Sequence, residues 1–190
     1  MNDALLILDM QQDLLAEDGA FPVDQGQVEL LIAATNEAVA KGRGRDVGVV
    51  TIVNAFSPWD PGNLFRHGCC VRGRAGSELD PRVHPGADSP VFTKWRSDAF
   101  CNHELLAWLR RREVERLAVA GVYADACVLA TVRGALRRGF EVTVLEDAVA
   151  ARDAEAVARG LKKMEQAGAT ITTVECWLAD EEVEDDVEAL

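Results

Sequence analysis

This chain of 190 residues has few cysteines and histidines, and fewer basic than acidic residues. Its five cysteines are an odd number and include no C-x-x-C pair, which fits neither a disulfide framework nor a zinc knuckle. Lysine and arginine total 20 against 32 acidic residues, so the net charge of −12 argues against nucleic acid and anionic membranes as partners. No basic leader, cleavage signal or membrane-length apolar run is present. We therefore expect a cytoplasmic protein with reduced thiols.

The apolar fraction, 48%, is enough for one domain with a sizeable core, which we place at residues 1–178. Residues 179–190 form an acidic C-terminal tail, which we expect to be solvated or to act as an interaction arm. Residues 54–89 are rich in proline and glycine and are too long for an ordinary connection. We therefore interpret residues 54–89 as a long active-site loop within the domain.

Apolar runs alternate with helical patterns along the whole domain. The runs predict strands at 4–10, 47–53, 91–94, 116–121, 141–145 and 169–174, and the helical patterns cover 25–41, 102–112, 127–138 and 154–166. This alternation predicts an α/β fold, a single doubly wound sheet of about six mainly parallel strands with helices on both faces. The fold accommodates many activities and decides none of them.

Three chemically useful side chains follow three of the predicted strands. Asp9 comes after the first strand, Lys94 ends the third, and Cys127 follows the fourth after a short turn. Ligands of such sheets bind at the carboxyl ends of the strands, so these groups are expected to meet at one edge. Taken singly, Asp9 is also explained as a turn cap, Lys94 as a solvated lysine and Cys127 as a small buried residue.

The three groups together suit attack on an amide or imide carbonyl. Cys127 opens a helical pattern, where the helix dipole favours the thiolate, and the Lys94 ammonium favours it further. Asp9 is placed to take the thiol proton and to return it to a leaving amine. Backbone N–H groups of the turn at 123–127 are the natural donors to the oxyanion.

Four sequence blocks resemble the isochorismatase-like cysteine hydrolase superfamily, which includes nicotinamidases and N-carbamoylsarcosine amidases. The blocks are LLILDMQQDLL at 5–15, GSELDPRV at 76–83, FTKWRSDAF at 92–100 and AGVYADACVLATVRGALRRGFEVTVLEDAVAA at 120–151. The last is the most specific, and together they span most of the domain in the order of the family. The resemblance implies a Rossmann-like three-layer sandwich and a homo-oligomer, either a dimer or a tetramer.

The resemblance also implies roles for individual residues. It gives an Asp–Lys–Cys triad, which maps onto Asp9, Lys94 and Cys127. A non-proline cis peptide bond before the nucleophile falls at Val122–Tyr123, where it aims the N–H group of Ala126 or Cys127 at the oxyanion.

Two comparisons with the superfamily narrow the range of candidate substrates. Isochorismatases proper usually lack the cysteine, so its presence favours hydrolysis of a C–N bond over that of a vinyl ether. Nicotinamidases usually carry an Asp-x-His pair and a later histidine, where this chain has Asn54, Phe56 and Cys69. The three histidines of the chain, at positions 67, 84 and 103, have no ligand-like spacing. We therefore predict no metal and no cofactor, which weakens nicotinamide as the substrate.

The sequence thus predicts a cysteine hydrolase that uses water to open a small amide, carbamoyl or imide substrate through a thioester at Cys127. The alternatives are a vinyl-ether hydrolase of the isochorismatase type, and a non-catalytic binding or redox-sensing protein of the same fold. Four aromatic residues are candidates for a pocket wall, although each is equally explained by ordinary packing or a subunit contact: Phe21, Trp59, Trp95 and Tyr123.

Overall fold

The computed structural model describes residues 3–177, and the acidic tail at 179–190 lies outside them. Six strands form one sheet, in which every neighbouring pair is parallel. They are β1 (Asp3–Leu8), β2 (Gly48–Asn54), β3 (Val91–Lys94), β4 (Arg116–Val122), β5 (Glu141–Ala150) and β6 (Thr170–Thr172), in the spatial order β3-β2-β1-β4-β5-β6. The predicted doubly wound α/β fold is confirmed.

Helices cover both faces of the sheet. They are α1 (Gln12–Leu15), α2 (Gln25–Arg43), α3 (His103–Arg111), α4 (Leu129–Leu136) and α5 (Ala154–Glu165). Alternate side chains of β1 point to opposite layers, since Leu6 and Leu8 pack with α3, α4 and α5, whereas Leu5 and Ile7 pack with α1 and α2. None of the helices within residues 3–177 is long and apolar enough to cross a bilayer.

Most strand and helix bounds agree with the sequence expectation to within about two residues, and three features were not expected. Strand β5 continues to Ala150 because a register shift against β4 accommodates the exposed acidic pair Glu146 and Asp147. Helix α1 is only four residues long, too short to leave a periodic pattern in the sequence. Helix α4 is preceded by a π-helical turn at Ala124–Val128, which contains Cys127.

The long segment between β2 and β3 is held against the body of the domain. It contains two short 3₁₀ turns, Pro61–Leu64 and Ala75–Ser77. Isolated β-bridges join Phe56 to Val71 within the segment and Leu79 of the segment to Gln11, which lies between β1 and α1. The segment therefore reaches the carboxyl edge of the sheet, where the predicted catalytic groups lie.

Gly121 allows β1 and β4 to approach each other just before the candidate site. Its φ of +121° is open to glycine and strained for other residues. A Cβ atom at this position would lie 2.0 Å from the Leu8 carbonyl oxygen. No side chain fits there without moving one of the two strands that carry the site.

Candidate active site

The ends of four adjacent strands supply the polar groups of the candidate site. Lys94 ends β3 and pairs in register with Asn54 at the end of β2. Asp9 follows β1, and Cys127 follows β4 through the π-helical turn. Because β3, β2, β1 and β4 are neighbours in the sheet, their carboxyl ends bring these side chains to one place.

The Lys94 ammonium lies at the centre of this cluster. Its Nζ is 2.8 Å from Asp9 Oδ2 and donates to Cys127 Sγ at 3.3 Å. It also donates to Asn54 Oδ1 at 2.9 Å and to the Arg96 carbonyl oxygen at 3.2 Å. The sequence predicted that the three charged and thiol side chains would meet, and the structure brings them together around this nitrogen.

Asp9 is fully buried beside the Lys94 ammonium. Its Oδ2 lies 2.8 Å from Lys94 Nζ, so the two side chains form a buried ion pair. Burial raises the pKa of Asp9, and the nearby Lys94 charge acts against this rise. A carboxylate in this environment is a stronger base than an ordinary aspartate.

The surroundings of Cys127 disfavour its thiolate form. Burial raises the pKa of Cys127 to about 11, the Asp9 charge adds to the increase, and Lys94 opposes it. The expectation of a thiolate with a low pKa is therefore wrong, because burial and a neighbouring carboxylate outweigh the helix end and the ammonium. A proton acceptor is needed when the sulfur attacks, and Asp9 is adjacent.

Lys94 remains charged although its side chain is fully buried. Burial alone would lower the pKa of Lys94, but the Asp9 charge, together with hydrogen bonds to Asp9 and Cys127, outweighs it and raises the pKa overall. The ion pair with Asp9 thus keeps an ammonium next to the sulfur.

Gln11 holds the backbone of Asn54 in place, and this role could not be predicted from the sequence. Its Oε1 accepts from the Asn54 N–H at 2.8 Å, and its Nε2 donates to the Asn54 carbonyl at 2.9 Å. Nε2 also donates to the Ser77 carbonyl at 2.7 Å, so Gln11 ties the ends of β1 and β2 to the long segment. A glutamine two residues after Asp9 was the available signal, but its partners are 43 and 66 residues away.

The turn before Cys127 contains the predicted cis peptide bond and the candidate donors to the oxyanion. The Val122–Tyr123 peptide bond is cis, at the position that the family resemblance implies. The Ala126 N–H donates to the Tyr123 carbonyl at 3.0 Å, which commits this group within the turn. Of the two predicted oxyanion donors, Cys127 N–H is therefore the better candidate.

The four aromatic candidates for a pocket wall lie in different surroundings. The Tyr123 hydroxyl donates to the Phe21 carbonyl, and the Phe21 ring is 5.5 Å from the His67 ring. Trp95 is 54% exposed, and Trp59 is 93% exposed, so Trp59 packs against almost nothing within the described chain. Phe21 and Tyr123 are consequently the pair that the structure brings together, whereas Trp59 forms no wall.

Comparison with known proteins identifies the family to which the chain is similar. The profile of the isochorismatase domain matches residues 3–176. The chain is 29% identical to the nicotinamidase of Escherichia coli K12, over 92% of this chain and 96% of that protein. It is 30% identical to the nicotinamidase/pyrazinamidase of Mycobacterium tuberculosis, over 86% and 95% of the two chains. The pyrazinamidase of Pyrococcus horikoshii, solved in complex with zinc, aligns with a TM-score of 0.81, 29% identity and coverage of 91% and 99%.

The histidine-containing metal site associated with nicotinamidases does not fit this chain. The Asn54 amide oxygen is occupied by Lys94 Nζ, at 2.9 Å. The Phe56 ring offers no ligand atom and is covered by the Arg66 guanidinium, 4.0 Å from the ring centre. Different residues form the metal-compatible group within residues 3–177, namely Asp13, Cys69 and Cys70. The sequence does not indicate this group, because it contains no histidine and its aspartate and cysteines are far apart along the chain.

Proposed function

The chain belongs to the isochorismatase family, and we propose that it is a cysteine hydrolase that cleaves a C–N bond in a small amide, carbamoyl or imide compound. The observation that carries this proposal is the position of Lys94 Nζ, 2.8 Å from Asp9 Oδ2 and 3.3 Å from Cys127 Sγ. The nicotinamidase relatives, which act on an amide, support the same type of reaction.

In the first half of the proposed reaction, Cys127 Sγ attacks the substrate carbonyl carbon while Asp9 accepts the thiol proton. The raised pKa of Asp9 makes this transfer easier than it would be to an ordinary carboxylate. The carbonyl oxygen becomes an oxyanion, to which the backbone N–H of Cys127 donates. Asp9 then protonates the nitrogen, the C–N bond breaks, and an amine or ammonia leaves behind a thioester.

In the second half, water attacks the thioester carbonyl and Asp9 takes a proton from the water. The C–S bond breaks, the acid product leaves, and the proton on Asp9 returns to the sulfur. Lys94 stays protonated throughout, because a negative charge remains in the site, on Asp9, on the oxyanion or on the sulfur as the C–S bond breaks, and the resting pair with Asp9 raises the pKa of Lys94. No step in this scheme needs a metal ion.

The differences from nicotinamidases argue for a substrate other than a pyridine amide. The polar pair that nicotinamidases carry after the second strand is replaced here by Asn54 and Phe56. Asn54 faces Lys94, and Phe56 is covered by Arg66, so neither is placed to bind a metal ion. We therefore propose as substrates the broader class of small amide, carbamoyl and imide compounds.

A screen for ammonia release from a panel of these compounds, with nicotinamide included, tests the proposal. For any substrate found, we expect Cys127→Ala to lower kcat by about 10⁴-fold or more, because the nucleophile is lost. Mass spectrometry of the quenched wild-type reaction should locate an acyl adduct on the peptide that contains Cys127.

Cys101→Ala is the matched control, since Cys101 is also partly exposed but lies outside the cluster. We expect this variant to keep its activity. A Cys127→Ala protein that is folded and fully active would refute the proposed mechanism.

A further inference from the structure

A second group of potential ligands lies beside the candidate site. Cys69 and Cys70 are buried in the long segment, and Asp13 lies in α1. One carboxylate oxygen and the two Sγ atoms all lie within 4.8 Å of one another. The group joins two parts of the chain that are 57 residues apart.

The separation of the two sulfur atoms is compatible with binding to one tetrahedral ion. The two Sγ atoms are 3.5 Å apart. With metal–sulfur bonds of about 2.3 Å, that separation corresponds to an S–metal–S angle of about 100°, close to tetrahedral. Asp13 Oδ2 accepts from the Cys70 N–H at 2.6 Å, which holds the carboxylate next to the thiols.

The surroundings also fix the carboxylate in place. A Cβ atom on Gly76 would lie 2.0 Å from Asp13 Oδ1, so the chain at 75–77 closes over the carboxylate and only glycine permits it. A cation bound between these groups would neutralise the charge of the Asp13 carboxylate and of the two deprotonated thiols. Two thiols and a carboxylate are ligands that suit zinc and chemically similar ions.

We propose that Asp13, Cys69 and Cys70 form a binding site for a thiophilic divalent cation, with two sulfur ligands and one oxygen ligand. This ligand set contains no histidine, and none of its members belongs to the Asp9–Lys94–Cys127 cluster. Binding replaces the two thiol protons with the ion, so each chain takes up one cation and releases two protons. The ion links α1 to the long segment and so stabilises the folded chain against unfolding.

The test is an anaerobic titration of the reduced, full-length protein with Co²⁺. We expect one equivalent of Co²⁺ to bind with a thiolate-to-cobalt charge-transfer absorption, and pH-stat measurement to show two protons released per ion. Cys69→Ser and Cys70→Ser should each remove most of this absorption and weaken binding by about 100-fold. Asp13→Asn should weaken binding while keeping the absorption.

Three cysteine variants outside the proposed ligand set serve as controls. Cys101→Ser and Cys176→Ser should bind Co²⁺ like the wild type. Cys127→Ser should also bind normally although it removes the proposed nucleophile, so the outcome is independent of the proposed function. If either ligand variant fails to fold, cadmium-113 NMR of the wild type is used to count the sulfur ligands, for which we expect two.

The site would be refuted if the wild-type protein showed no charge-transfer absorption with excess Co²⁺. It would also be refuted if the absorption band survived in the Cys69→Ser/Cys70→Ser double variant, or if the band disappeared in Cys127→Ser. A cadmium signal typical of ligands without sulfur would have the same consequence.

Discussion

Gln11 and Asn54 are hydrogen-bonded in both directions, from Asn54 N–H to Gln11 Oε1 and from Gln11 Nε2 to the Asn54 carbonyl. The Asn54 side chain in turn accepts from Lys94 Nζ. A buried glutamine therefore sets the position of the residue that accepts a hydrogen bond from Lys94. The cluster is supported by neutral amides on one side and by the Asp9 carboxylate on the other.

Gln11→Leu should destabilise the protein by about 1–3 kcal/mol, because it leaves the buried Asn54 N–H and carbonyl without their partner. Urea unfolding followed by circular dichroism measures the change. The neighbouring residue Gln12 is half-buried and provides the matched control. We expect Gln12→Leu to change stability by less than about 0.5 kcal/mol. Equal effects of the two substitutions would contradict the role given to Gln11.

Asp9→Asn should separate thiol reactivity from turnover. The Asp9 charge raises the pKa of Cys127, so its removal lowers that pKa and increases the thiolate fraction at neutral pH. We expect faster alkylation of Cys127 by iodoacetamide but a loss of turnover of about 10²–10⁴-fold, because the proton carrier is gone. Alkylation is followed by mass spectrometry of the Cys127 peptide.

Lys94→Met is the opposing variant in that experiment. Lys94 lowers the pKa of Cys127, so its loss should slow the alkylation as well as the turnover. If Asp9→Asn slowed alkylation instead, the electrostatic assignment for the cluster would be wrong.

Asn54→Asp should shift the acid limb of the pH–rate profile. Under the proposed mechanism Asp9 must be ionised, so kcat/KM rises with pH through a pKa that burial places above the ordinary aspartate value. A second carboxylate next to Lys94 disfavours ionisation of Asp9, so the limb should move to higher pH. Asn54→Ala removes the hydrogen bond without adding charge and should lower kcat with a smaller shift. An unchanged profile in Asn54→Asp would argue against Asp9 as the base.

Gly121→Ala should be among the most damaging small substitutions in the domain. The added methyl group meets the Leu8 carbonyl oxygen at 2.0 Å in addition to the strained φ of +121°, so we expect a loss of about 3 kcal/mol or more. Gly139 also has a positive φ, +87°, but open space around it. Gly139→Ala therefore isolates the backbone strain and should cost about 1–2 kcal/mol. Thermal and urea unfolding of the two variants give the comparison.

Most of the fold was predictable because its signals are local. The apolar runs of β1, β2 and β4 are buried on both faces, which leaves a continuous pattern that needs no knowledge of the partners. The end of β5 was not predictable, because Glu146 and Asp147 interrupt the pattern and only pairing with β4 carries the strand past them. The π-helical turn at 124–128 was missed for a similar reason, since its helical pattern matches that of an ordinary first turn.

The meeting of Asp9, Lys94 and Cys127 could be predicted from the sequence. Each of the three follows or ends a recognisable strand, and parallel strands place their carboxyl ends at one edge of the sheet. Their protonation states depended on the tertiary structure. Burial raises the pKa of Cys127, the Asp9 charge raises that of Lys94 despite burial, and no local pattern in the sequence encodes burial of this kind. The Gln11–Asn54 pairing and the meeting of Asp13 with Cys69 and Cys70 likewise arise only when distant segments pack together.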